Sequence, residues 1–128
     1  MNYLENCTHK ETWSRRGEAF CIEVVRWESK GFDDKTEYIW NIYCYIYEGH
    51  DLFFELTDEF LFGGGRLNFH HGCTYGRWFR DAENIVRTKQ YGCDYNHIWD
   101  VDIKDIKDPK EAYEVFNDAE DLFEQLNN

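Results

Sequence analysis

The sequence holds one proline, no apolar run near the ~20 residues that a bilayer-spanning helix needs, and little positive charge. Among 128 residues, 14 Lys and Arg stand against 26 Asp and Glu. Each shortage excludes something. Without a long apolar run, no transmembrane span is expected, and Met1-Asn2-Tyr3-Leu4-Glu5 has neither the basic start nor the apolar stretch of a secretory leader. The net charge of −12 argues against direct DNA or RNA binding, which depends on many Lys and Arg contacts to phosphate. With a single proline, chain reversals fall mainly to the nine glycines. Five cysteines (Cys7, Cys21, Cys44, Cys73, Cys93) are an odd number without a leader, so reduced thiols and a cytoplasmic location are expected rather than a disulfide framework.

Aromatic residues, by contrast, are plentiful: 10 Phe, 9 Tyr and 5 Trp make up 19% of the chain. Each removes ~150–250 Å² from water when buried, which is ample for a packed core and rules out intrinsic disorder. The length suits one domain spanning residues 1–128.

Charge is distributed unevenly. Residues 1–60 carry 6 basic and 13 acidic side chains, and residues 91–128 carry 3 and 11. Between them, residues 61–90 carry 5 basic side chains (Arg66, Arg77, Arg80, Arg87, Lys89) and 2 acidic ones. Such an island is either ordinary fluctuation or a local anion site within an acidic protein. The acidic remainder could also imitate a phosphate backbone towards a nucleic-acid-binding partner.

The pattern predicts strands first and a helix last. Residues 18–27 and 37–47 are rich in β-branched and aromatic side chains, and the second stretch suggests a central strand buried on both faces. Residues 29–35 should turn, and 52–62 lean towards a short helix before the Gly63-Gly64-Gly65 hinge. Residues 66–75 read as a strand, 76–83 as its turn and 85–94 as its hairpin partner. In 108–126, Asp108 can cap, Pro109 takes the first helical position and Glu111 completes a capping box. Ala112, Tyr113, Phe116, Ala119, Leu122, Phe123 and Leu126 share one face, opposite an acidic one. The expected fold is α+β: an antiparallel sheet of about four to five strands within 18–100, with the amphipathic C-terminal helix packed on one face.

Residues able to carry chemistry gather in two stretches, 69–75 and 91–100. If these pair as neighbouring strands, ~5 Å apart, one basin holds His70, His71, Thr74, Asp94, His97 and Asp100. The bland alternative is that these polar groups merely tie down loops. Three chemistries fit the basin. In the first, Tyr75, Arg77 and Arg80 join it to capture a phosphorylated ligand, with Arg87 as a further candidate and Tyr75, Trp78 or Trp99 stacking a base. In the second, Asp94, His97 and Asp100, with His70, serve metal-assisted or general acid–base hydrolysis. In the third, His71, Cys73, Cys93 and His97 bind zinc, although neither half is a C-x-x-C knuckle. A thiol protease at Cys73 or Cys93 lacks any supporting local signature, as do Walker, Rossmann and H-E-x-x-H motifs. His50 could cap a turn or join the basin.

The stretches His71-Gly72-Cys73-Thr74-Tyr75 and Gly92-Cys93-Asp94-Tyr95-Asn96-His97-Ile98-Trp99-Asp100 resemble a pattern in small uncharacterised phage and prophage proteins. Those read H-G-G-x-T-(Y/F), then G-(F/C)-D-x-x-H-x-x-D, and Tyr47-Glu48-Gly49-His50-Asp51-Leu52-Phe53 is similar to their upstream Gly-His-x-Leu strand end. The resemblance covers roughly residues 38–100 and matches at His71, Thr74, Asp94, His97 and Asp100, with Cys73 in place of a second glycine. It implies no particular activity. Its phage setting implies an accessory role in the host cytoplasm, such as counteracting a bacterial defence. The expectation is therefore a binding protein rather than an enzyme, needing no cofactor. It would capture a small phosphorylated or nucleotide ligand or occupy a host defence protein. The alternatives are a metal-dependent hydrolase of phosphate esters or nucleotides and an acidic mimic of nucleic acid.

Overall fold

Alternation of apolar and polar side chains builds three long antiparallel strands from the first part of the chain: β1 (Cys7–Gly17), β2 (Phe20–Lys30) and β3 (Thr36–Tyr47). Two further strands, β4 (Tyr75–Arg80) and β5 (Val86–Asp94), complete a five-stranded sheet in the order β1-β2-β3-β5-β4. A 3-10 turn (Asp102–Asp105) and one helix, α1 (Tyr113–Leu126), follow. The computed structural model describes residues 7–31, 33–56, 67–96, 100 and 102–127. The fold is α+β, an antiparallel sheet with its C-terminal helix packed against it. Among the described residues no helix is long and apolar enough to cross a membrane.

Strand alternation gives the sheet two unlike faces. Phe20, Ile22 and Val24 of β2 stand opposite Ile46, Cys44 and Ile42 of β3, which in turn face Lys89, Tyr91 and Cys93 of β5. Apart from Lys89, these side chains form one core with Val115, Leu122 and Leu126 of α1. The core is sealed at one end by Arg26, only 3% exposed. Its Nη1 donates to Lys107 O, its Nη2 lies 3.1 Å from Glu11 Oε1, and its guanidinium sits among the rings of Trp13, Tyr38 and Trp40. Trp40 Nε1 donates to Ile106 O at 2.9 Å, so the segment carrying the 3-10 turn is pinned to the sheet.

Several expectations need correction. Residues 67–74 are irregular rather than a strand, and β4 lies where a turn was expected. Gly76 does not break this strand; the reversal is made instead by Asp81, whose Oδ1 accepts from Glu83 N and Ile85 N, with Asn84 at φ 65. The helix starts at Tyr113, because Asp108 caps the preceding turn: its Oδ1 accepts from Lys110 N, and its carbonyl from Glu111 and Ala112 N. Tyr113 is 69% exposed and Val115 takes its place inside. The 51–55 segment makes turns, while 57–66, including the three glycines, lies outside the described residues. Strand β1 is not evident in the sequence, since its four charged residues hide the alternation.

Candidate functional site

The turn that brings two histidines together is local. Gly72 N donates to Phe69 O at 3.0 Å, closing a four-residue turn in which His71 adopts φ 55 and Gly72 φ 91. In an extended strand, consecutive side chains point to opposite faces. Here the left-handed backbone at His71 sets its ring 4.1 Å from that of His70. A non-glycine residue in that region is uncommon, and such strain gathers at functional sites.

Partners then arrive from three distant places. His70 stacks on Tyr95 just past the end of β5, with ring centres 4.1 Å apart and planes at 13°. Its Nε2 lies 2.8 Å from Asp100 Oδ1, and its Nδ1 lies 3.9 Å from Glu114 Oε1 in the first turn of α1. The Tyr95 hydroxyl donates to Asp118 Oδ2, one helical turn beyond Glu114. Burial, followed by that contact with Asp118, pushes the Tyr95 hydroxyl pKa up, so it remains a donor. The side chains of His70 and Asp100 are only 11% and 8% exposed, whereas His71 opens to solvent. Among the described residues, metal-ligating atoms come within 4.8 Å of one another in two groups: His70, His71 and Asp100, and His70, Glu114 and Asp118.

Of the sequence candidates, His70, His71 and Asp100 are brought together. His97 lies outside the described residues, so the expected pairing of His71 with His97 cannot be placed. Thr74 is exposed, and its backbone N donates to Gly92 O at 2.9 Å, which lays the two polar stretches side by side. Asp94, Tyr75 and Arg77 belong to the other face of the sheet, since Asp94 pairs with Asn41, Tyr75 with Gly92 and Arg77 with Gln90. Asp94 Oδ1 accepts from Asn96 N, and Tyr75 meets the ring of Tyr43 at 5.5 Å. Cys73 and Cys93 are buried core thiols at 6% and 2% exposure. Burial raises both, Cys93 to about 12, so they are held as neutral thiols. Neither belongs to a ligand group among the described residues, and the zinc set built on them also needs His97, which lies outside those residues.

The basic island also disperses. Arg87 Nε reaches Asp81 at 2.8 Å and its Nη1 binds Glu48; Arg80 Nη1 donates to Asn84 O; Arg77 lies over Phe79. Lys89 is buried, its ammonium donating to Phe53 O and Leu56 O at 2.6 Å each, over the ring of Trp78. Arg66 lies outside the described residues. His50 is a structural cap. Its Nδ1 accepts from Leu52 N, which leaves Nε2 as the donor to Leu126 O at the end of α1.

Tyr95, Glu114 and Asp118 were not among the candidate site residues, the last two reading only as part of the acidic helix face. The i, i+4 spacing of Glu114 and Asp118 already puts both on one side of the helix, but does not say what that side meets. Compared with known proteins, the chain matches no family model, no curated protein and no solved structure.

Proposed function

We propose that this protein is a phage-type accessory protein that acts by binding, occupying a basic site on a host defence protein through the acidic side of α1. One observation carries the reading. The helix Tyr113–Leu126 bears five carboxylates, Glu114, Asp118, Glu120, Asp121 and Glu124, with no Lys or Arg. Acidic groups in the last turn of a helix oppose the macrodipole, at ~0.3–1 kcal/mol each, so Glu124 works against helix stability. A surface kept at such a cost suits a role outside the fold.

Glu120 is engaged by Arg15. Asp121 and Glu124 stay exposed and line an open polar depression of about 530 Å³ together with Asn68, Gln125 and Asn127. That depression fits the Lys or Arg side chains of a basic partner. Of the two ligand classes expected from the sequence, a phosphorylated small molecule is the less suited to the His70 cluster. A phosphate there would meet Asp100, Glu114 and Asp118, and the arginines expected to hold it are engaged elsewhere.

The test is a pull-down from bacterial lysate with the wild-type chain and the double variant D121K/E124K. The reading expects a salt-sensitive complex that loses at least ~10-fold in affinity on charge reversal, while circular dichroism stays unchanged. A complex indifferent to both salt and the double reversal overturns it. Release of the captured protein by DNA would favour the nucleic-acid-mimic form.

A further inference from the structure

We infer that His70, His71 and Asp100 form a binding site for one divalent transition cation of the zinc type, with Glu114 as the outer-shell partner of His70. The inference does not rest on the partner reading above, which concerns the other end of α1.

The donor set comes first. Two imidazoles and a carboxylate suit zinc and its neighbours, and three protein ligands with an open fourth position are the usual form of a reactive zinc site. The ligating atoms of the three residues already lie within 4.8 Å of one another. Around a tetrahedral zinc with bonds of ~2.0–2.1 Å, donor atoms stand about 3.4 Å apart. The 2.8 Å contact between His70 Nε2 and Asp100 Oδ1 therefore needs to open by about half an ångström on loading. His71, exposed at the rim, supplies the closing movement by side-chain rotation.

The surroundings of His70 match what a metal-bound imidazole needs. Such an imidazole directs its second ring nitrogen to a carboxylate, which fixes the ring and strengthens the donor. With Nε2 turned to the cation, the proton sits on Nδ1, where Glu114 Oε1 stands 3.9 Å away on an exposed, adjustable side chain. Ring orientation is fixed independently by the stack on Tyr95, itself anchored to Asp118.

The backbone supports the same conclusion. The left-handed turn at His71 places two adjacent imidazoles face to edge at 4.1 Å beside a carboxylate, a convergence that an extended strand would not produce. The open coordination position faces solvent on the His71 side. It would carry a water, whose acidity a zinc ion raises enough for hydrolytic chemistry near neutral pH.

The experiment titrates the chelator-treated full-length chain with zinc by calorimetry and with cobalt by visible absorption. The expected result is one cation per chain, with a cobalt spectrum of four- or five-coordinate type. His71→Asn keeps a residue that tolerates the left-handed backbone but removes the imidazole, and Asp100→Asn removes the charge. Each should weaken binding at least ~100-fold, and Glu114→Gln by ~10-fold. Asp121→Asn, at the far end of the helix, should leave affinity unchanged. Absence of micromolar binding to the folded chain, or binding that survives both His71→Asn and Asp100→Asn, overturns the inference. So does binding lost with Glu114→Gln and retained by His71→Asn, which would move the cation to the Nδ1 side of His70.

Discussion

The two faces of this sheet are made by the same strands and behave as different materials. On the helix-covered face, Trp40, Ile42, Cys44 and Ile46 of β3 are fully buried against β2, β5 and α1. On the other face, the buried Asn41 and the half-buried Tyr43, Tyr45 and Tyr47 form a polar ladder. Gln90 Nε2 donates to the Tyr45 hydroxyl at 2.9 Å, Tyr45 donates to Glu23, and Asn41 Nδ2 donates to the Tyr43 hydroxyl at 3.0 Å. Among the described residues no element packs on this second face. The covered face gains from area removed from water, which is non-directional. The tyrosine face gains from oriented hydrogen bonds, each worth only ~0.5–1.5 kcal/mol net. The difference explains where the candidate site stands. A helix laid across one face creates an edge at which loop, strand end and helix meet, and His70, Tyr95, Asp100 and Glu114 lie at that edge.

Three measurements sharpen or break this contrast. The largest effect belongs to the covered face. Leu122→Ala, at a fully buried position under α1, should cost ~2–5 kcal/mol in urea unfolding through lost contacts and a residual cavity. A loss below 1 kcal/mol by that measure would mean that the helix is only loosely seated.

Next comes Gly92→Ala on the tyrosine face. A Cβ there would lie 2.5 Å from Tyr43 Cδ1 and 2.8 Å from Ile42 O, and the latter is backbone and cannot swing aside. The expected loss is about 1–3 kcal/mol, with a changed near-ultraviolet tyrosine signal. A neutral outcome would show that the ladder is slack rather than packed.

Smallest at neutral pH is the effect of the buried thiols. Burial raises Cys44, Cys73 and Cys93, the last from 9.0 to about 12. The folded chain therefore holds these protons more tightly than the unfolded one. Stability should be flat near pH 7 and fall as pH rises above about 9, where thiols of the unfolded chain ionise while those of the folded chain keep their protons. Thermal melts across that range, and slow modification by a thiol reagent at pH 8 in a Cys7→Ser background, check it. Reaction at the rate of a free thiol would place the cysteines outside the core.

Much of the architecture is legible in the order of residues. The run in β3 reads as a central strand, and the helix is visible through Ala119, Leu122, Phe123 and Leu126. β1 is hidden because an edge strand with Lys10, Glu11, Arg15 and Arg16 looks like a polar segment until β2 pairs with it. The misplaced hairpin has a similar cause. Gly76 reads as punctuation, but the reversal is fixed by the Asp81 side chain accepting two backbone N–H groups, a geometry seen only once the strands are aligned.

The candidate site divides in the same way. His70, His71 and Asp100 can be picked out from residue type and clustering. Arg77 and Asp94 are set apart from them by strand parity, and Glu114 is added by a helix 44 residues away from His70 in the chain.

Residue order alone sets the net charge, the alternation that makes strands, the single apolar stripe of α1 and the imidazoles beside a glycine. These are properties of neighbours along the chain, where spacing of two, three or four residues fixes which side chains share a side. That His70 meets Asp100 and Glu114, that Lys89 and Arg87 are consumed internally, and that Cys73 and Cys93 are core emerges on folding. Those outcomes depend on strand register and on how a helix seats across a sheet, which are fixed by packing between segments that are remote in the chain.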